Sequence, residues 1–209
     1  MTVTGKVARL GHVGIAVADL DRSVDFYSNV LGMRVTEIFR YDESTAGHGV
    51  AVLSGAFVRG DKDTIHHRLS IFTLRNPAAK VPGAQTLGLH HIAFEFDTRE
   101  DLLMLYKRFK DEEIPIVNAR IGGPGNHTRF YGLDPDGNVL EFYWNIDQIG
   151  WDDRAHVYPP IQVVELDDFD FDEYQRLRET LDDPAWASLD ASTLRASAKD
   201  AAPEPIPTN

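Results

Sequence analysis

Cysteine is absent from the 209-residue chain. That excludes disulfides, thiolate nucleophiles, sulfur-ligated zinc and iron–sulfur clusters, so any metal must be held by His, Asp or Glu. Basic charge is scarce as well: 21 Lys and Arg stand against 33 Asp and Glu, a formal net charge of -12. With no basic stripe to offset phosphate repulsion, neither nucleic acid nor an anionic membrane surface is expected as a partner, which leaves a small molecule. Long apolar runs are missing too. No segment approaches the roughly 18 to 20 residues of a membrane span, and MTVTGKVARL lacks the apolar centre of a signal peptide, so a cytoplasmic protein is expected. What is there, 43% hydrophobic and 26% charged, can bury one good core, either as a single domain or as two small fused modules.

One pattern occurs twice. In the stretch that begins GHVGIAV, His12, Gly14 and Ala16 share one face of a strand, and Val13, Ile15 and Val17 share the other. Asp19 can cap a helix whose Leu20, Val24, Tyr27 and Leu31 recur at the helical period, with Gly32 at its C-terminus and RVTEIF following as a strand. The order returns 79 residues later, where His91, Ala93 and Glu95 face one way and Ile92, Phe94 and Phe96 the other. Thr98 can cap a second helix with Leu102, Leu105, Tyr106 and Phe109 as its buried stripe, and IPIV resumes an extended run. VAVLSGAFV and HHRLSIFTL supply the later strands of the first copy, HTRFYGL and NVLEFYW those of the second, with DPDGN as the hairpin turn between the last two. A unit of this length that repeats strand, helix and strands is an internal duplication. Residues 8–78 and 86–147 are read as the two modules. Residues 148–209 form an acidic, proline-punctuated extension with one helix expected near Glu173 to Leu181 and a disordered tail from about Ala191.

Three residues ask for a shared explanation: His12 and His91 at equivalent strand starts, and Glu141 inside VLEFYW. A carboxylate in so apolar a strand must be paired, exposed or bound to a cation. Singly, a histidine at a strand start is more often a satisfied or exposed ring than a ligand. Recurrence at repeat-equivalent positions favours the joint reading. Two His and one carboxylate leave about three coordination positions of a metal open, which suits non-haem Fe(II) oxygen chemistry. A fourth carboxylate at the equivalent place in the first copy is missing, because no Asp or Glu occurs from Thr64 to Phe94.

GHVGIAV, LHHIAFEFD and YGLDPDGNVLEFYW resemble the vicinal oxygen chelate superfamily over residues 8 to 146. The superfamily contains glyoxalase I, methylmalonyl-CoA epimerase, bleomycin-resistance proteins and the type I extradiol catechol dioxygenases. The resemblance implies an α+β fold of two tandem βαβββ modules forming a curved mixed sheet around a metal cleft. The ligand set His12, His91 and Glu141 favours the dioxygenase branch, since the isomerases add the first-copy carboxylate absent here. His66-His67 in IHHRLSIF resembles the stretch in which the dioxygenases carry an acid/base histidine, so His67 inherits that role. Tyr131, ten residues before Glu141, matches a tyrosine that hydrogen-bonds the substrate. His127 matches a further active-site histidine, although it precedes Tyr131 by four residues, closer than in the family.

The resemblance thus implies an enzyme that opens a catechol-type diol with O2 at Fe(II), with Mn(II) also admitted by the ligand types, and a homo-oligomer, a dimer. Two rivals stand beside it. A glyoxalase-like or epimerase-like isomerase or lyase needs a fourth ligand, for which Gln85 or another subunit is available. A metal-free protein that binds an aromatic drug needs none of the three ligands. Tyr143 competes with Tyr131 for the tyrosine role. His90 points away from the face of His91, and His48 and His156 have no assigned task.

Overall fold

The computed structural model describes residues 9–41, 52–75, 88–148 and 161–171. The connection between the modules, Gln85, His48, His156, the helix expected near Glu173 and the tail lie outside the described residues. The chain forms two compact units, Met1–His90 with Leu133–Val139, and His91–Gly132 with Leu140–Asn209. Among the described residues no helix is long and apolar enough to cross a membrane.

In the first unit β1 (Val13–Ala16) leads to α1 (Leu20–Asp25), which runs on as a π-helical turn over Phe26–Val30, and then to β2 (Arg34–Arg40), β3 (Val52–Arg59) and β4 (Leu69–Leu74). The sheet order is β1-β4-β3-β2. β1 and β4 run parallel, and the other neighbours run antiparallel. Asp19 caps α1 by accepting from the Arg22 amide at 3.0 Å, and Gly32 takes a left-handed φ of 69° that ends the helical segment. The π-turn changes the buried stripe. Leu20, Ser23, Phe26 and Tyr27 are buried, while Val24 and Leu31, expected in the stripe from a regular helical period, are only half-buried. A wider turn advances every later side chain around the axis, and a period of 3.6 carries no sign of it.

The second unit repeats the order: β5 (Ile92–Phe96), α2 (Arg99–Asp111), β6 (Ile116–Ile121), β7 (Thr128–Leu133) and β8 (Val139–Trp144). Both the first strands and the first helices of the two copies start 79 residues apart. Thr98 caps α2 by accepting from the Asp101 amide at 3.1 Å. Leu102, Leu105, Tyr106 and Phe109 form its buried stripe, as the sequence predicts. They pack on the apolar face of the sheet, where Phe109, Phe130 and Phe142 meet with ring centroids 4.8 to 5.4 Å apart. The sheet order is β5-β8-β7-β6-β9. The fifth strand, β9 (Gln162–Val163), comes from the acidic extension and pairs antiparallel with β6. Just beyond it Glu165 accepts from the Tyr106 hydroxyl at 2.9 Å, and Leu166 is buried.

The turn between β7 and β8 packs on α1. Asp134 accepts from the Tyr27 hydroxyl at 3.0 Å, from the Asp136 and Asn138 amides at 3.0 and 2.7 Å, and from Asn138 Nδ2 at 2.8 Å. Asp136 in turn accepts from the Ala18 amide at 3.1 Å and from the Arg22 guanidinium at 2.8 Å. Burial first, and the Asp134 charge second, push the Tyr27 hydroxyl far up, so it remains a donor. Gly137 at φ 73° closes the turn. Asp134→Ala strips four donors of their acceptor at a buried place, and a loss of about 2 to 4 kcal/mol is expected. Tyr27→Phe removes one bond and is expected to cost about 1 kcal/mol. Urea unfolding of the two variants measures both.

Candidate active site

Parallel pairing sets the second sheet's polar face. β5 pairs with β8 so that Ala93 lies opposite Glu141 and Glu95 opposite Tyr143. Antiparallel pairing of β6 with β7 sets Asn118 opposite Tyr131 and Arg120 opposite Arg129. Period-2 alternation therefore places Glu141, Tyr131, Arg129, Arg120 and Asn118 on one face, with His91 at the head of β5. The opposite face carries the phenylalanines of the core.

Glu141 is only 6% exposed, and both its oxygens are taken. His91 Nε2 lies 2.9 Å from Oε2, and His127 Nε2 lies 2.8 Å from Oε1. The Tyr131 hydroxyl donates to the same carboxylate and accepts from Arg129 Nε at 3.1 Å. Burial raises the Glu141 carboxyl, but the bonds from His127 and Tyr131 and the charges of His127 and His91 together outweigh it and hold the group below its ordinary value. The Tyr131 hydroxyl is pushed up, by burial first and by Glu141 second. It stays a donor at neutral pH.

His127 is fixed from behind. Its Nδ1 lies 3.0 Å from the Pro124 carbonyl, which can only accept, so Nδ1 carries a hydrogen. The contact of Nε2 with a carboxylate then needs one further proton between the two groups. Pro124 belongs to GGPGN, where Gly122, Gly123, Gly125 and Asn126 all have positive φ, from 48° to 73°. A Cβ at Gly123 would collide with Ile161 of the extension, and one at Gly125 would press on Ile146 at 2.6 Å. The glycines are needed for backbone conformation and for close approach alike. Arg129, 3% exposed, ties the loop to the strand by donating from Nη1 to the Gly122 and His127 carbonyls at 2.9 and 3.2 Å.

In the first unit His12 and His67 face each other with ring centroids 4.6 Å apart. His66 and His67 come just before β4, with their Nδ1 atoms 3.0 Å apart, and His66 Nε2 lies 3.5 Å from Glu37. Burial, then His12 and His66, lower the His67 imidazole from its ordinary value of 6.5, so it is neutral at pH 7. Phe57 lies against His67 at 4.7 Å between centroids, and Phe39 and Phe72 continue an aromatic floor across the sheet. Gly55 makes room for it, since a Cβ there would stand 2.7 Å from both Phe39 and Phe72.

The registers also identify the first-copy counterpart of Glu141. Ala93 pairs with Glu141, and its repeat equivalent, Gly14, pairs with Ser70. A buried serine stands where a second carboxylate would be.

His91 and Glu141 suit a divalent metal. Their donor atoms, 2.9 Å apart, match the separation of about 3 Å for two ligands each about 2.1 Å from one ion at right angles. Imidazole with carboxylate is also a donor set for Fe, Mn or Zn. Among the described residues no group of three or more His, Asp or Glu has the geometry of a metal cage. Sequence reasoning missed Arg129 and Arg120. The signal for Arg129 was available, because alternation from Tyr131 puts it on the same face.

A duplicated βαβββ sheet with a histidine heading the first strand and a carboxylate in the last defines a glyoxalase-type fold. The chain belongs to the Glyoxalase/Bleomycin resistance protein/Dioxygenase superfamily, which it matches over residues 9–142. It is 33% identical to biphenyl-2,3-diol 1,2-dioxygenase 2 of Rhodococcus globerulus over 76% of this chain and 71% of that protein. Similarity to 3-methylcatechol 2,3-dioxygenase of Pseudomonas putida is 27% identity over 67% of this chain but only 43% of that protein. Human mitochondrial methylmalonyl-CoA epimerase is 31% identical over 66% of this chain and 76% of its own length. A crystal structure of a glyoxylase/bleomycin resistance protein/dioxygenase domain from Frankia sp. EAN1pec shares the fold, with a TM-score of 0.54 at 18% identity over 67% of this chain and 99% of that one.

Because the folded state holds Glu141 below its ordinary value of 4.5, its ionised form favours folding. That contribution is present above the ordinary value and is lost as pH falls through the lowered one. Glu141→Gln is therefore expected to flatten the acid limb of stability against pH, read from urea midpoints between about pH 3 and 7.

Proposed function

We propose that the protein is an extradiol dioxygenase that opens a catechol-type ring with O2, using Fe(II) held by His12, His91 and Glu141. The observation that carries this reading is Ser70. With a serine at the counterpart of Glu141, the second carboxylate of a four-ligand set is missing, and a set of two histidines and one glutamate would leave about three positions open for a diol and O2. His12 enters the set through its repeat-equivalent place, at the head of β1 as His91 is at the head of β5. The pairing of His91 with Glu141 and the named dioxygenase relatives support the same reading.

When bound, ferrous iron supplies the route for electrons from the diol to O2. The chain's residues position groups and move protons. His67, neutral at pH 7, takes a proton from a substrate hydroxyl and returns it as the ring opens. Phe57 and Phe72, packed edge to face, offer apolar contact to an aromatic ring. Tyr131, whose hydroxyl hydrogen turns to Glu141, holds a substrate hydroxyl by accepting from it. His127, locked by Pro124, holds the Glu141 carboxylate in place. Both atoms of O2 end in the product, a ring-opened hydroxymuconic semialdehyde, so no external reductant is needed.

Likeness to an epimerase favours a second reading, a metal-dependent isomerase in which a carboxylate moves a proton next to a carbonyl. Ser70 at the place of the second carboxylate speaks against it.

Iron-loaded protein given a panel of catechols is expected to consume O2 in step with a yellow product. Tight iron without uptake on any diol would overturn the proposal. His91→Ala and Glu141→Ala are expected to lose iron and activity together. His67→Phe is expected to keep iron and to lower kcat by about 10²-fold to 10⁴-fold.

A further inference from the structure

Most described arginines meet a carboxylate. Arg22, Arg34, Arg40, Arg68, Arg99 and Arg108 each form an ion pair with Asp or Glu, and Arg129 lies 3.8 Å from Glu141. Arg59 turns to the carbonyls of Gly60, Asp61 and Asp63. Arg120 does neither. Its Nε donates to Asn118 Oδ1 at 2.8 Å, and its guanidinium lies over the Tyr131 ring, 5.6 Å from the centroid. Among the described residues no Asp or Glu pairs with it. In a chain with a net charge of -12, a half-buried arginine without an acid is out of keeping with its surroundings.

Its geometry is that of a receptor. A guanidinium has five N–H donors in a planar fork, and Arg120 uses one of them on Asn118. That bond and the place over the Tyr131 ring restrain the guanidinium before any ligand arrives, which lowers the ordering cost of binding. The remaining edge matches a planar anion that accepts two parallel hydrogen bonds. Tyr131 connects this edge to the proposed centre. Its hydroxyl is engaged by Glu141 and Arg129, and its face is covered by Arg120. Tyr131 is thus shared between the proposed ring site and the Arg120 guanidinium.

We infer that Arg120, set by Asn118 and placed over the Tyr131 ring, binds a carboxylate carried by the aromatic substrate. The inference rests on the dioxygenase reading for the ring and adds an acid substituent to it. The carboxylate is either attached directly to the ring or placed on a one-carbon arm, and both offer the same two oxygens.

The test is anaerobic calorimetry on the iron-loaded protein, so that affinity is read without turnover. Three probes are used: a catechol with a carboxylate on the ring, one with the carboxylate on a one-carbon arm, and 4-methylcatechol. Wild-type protein is expected to bind at least one acid more tightly than 4-methylcatechol, and the preferred acid identifies the source of the carboxylate. Arg120→Gln is expected to reduce that preference, measured as the ratio of Kd values, by about 10-fold to 100-fold. Arg120→Lys, which keeps the charge and loses the fork, is expected to restore part of it. No acid preference in wild type overturns the inference even if the variants fail to fold, and so does a ratio unchanged by Arg120→Gln. Oxygen uptake is read separately. An Arg120-dependent preference without uptake on any diol leaves the carboxylate site standing and removes the dioxygenase reading; uptake without the preference does the reverse.

Discussion

A carboxylate buried in the second strand of a five-stranded sheet constrains everything around it. Left alone, ionised Glu141 would cost several kcal/mol in desolvation. Here it is met by His91 and His127, with Tyr131 and Arg129 beside them. Those partners need supports of their own. His127 is held through Pro124 and Arg129 through the Gly122 carbonyl, so the loop that carries both must take a course only glycine-rich sequence permits. The extension closes on this loop through Ile161, which occupies the space a side chain at Gly123 would need. One buried acid thus accounts for the composition of a loop, the placement of a histidine and an arginine and a contact with a segment outside the repeat.

The duplication shows which parts of the fold are architecture and which are chemistry. Strand start, helix cap and helix start keep the same spacing in both copies, because each copy must cover one apolar sheet face with one amphipathic helix. On the other face the copies part. In the first, Ser70 takes the place of the acid, and Phe39, Phe57 and Phe72 form an apolar floor beside His12 and His67. In the second, a glutamate, two histidines and two arginines make that face polar. The helix-packed faces store the stability, so the open faces are free to differ. That freedom is the physical basis on which one fold supports oxygenases, isomerases and binding proteins.

Sequence by itself determined the repeat and its alternation. The buried set of α2 and its Thr98 cap were legible because helical period and capping chemistry are local properties. So was the tight turn at DPDGN, whose glycine adopts the expected positive φ. His12 and His91 could be singled out because a duplicated sequence puts equivalent residues at equivalent places, and Glu141 because a carboxylate in so apolar a strand calls for a partner. The π-turn in the first helical segment was not legible, since the extra residue is absorbed by packing rather than marked by any residue type.

Only the tertiary structure decided who meets whom. His127 and Glu141 lie 14 residues apart and touch because a glycine loop turns one ring back over the sheet. Ser70 became the counterpart of Glu141 only through strand register, which depends on pairing between strands far apart in the chain. Arg120 reads in the sequence as one more solvated cation. Its place over the Tyr131 ring, its bond to Asn118 and its lack of a carboxylate among the described residues follow from the pairing of β6 with β7. Local pattern sets which face a side chain takes, but long-range register sets its neighbours, and the chemistry of a site lies in the neighbours.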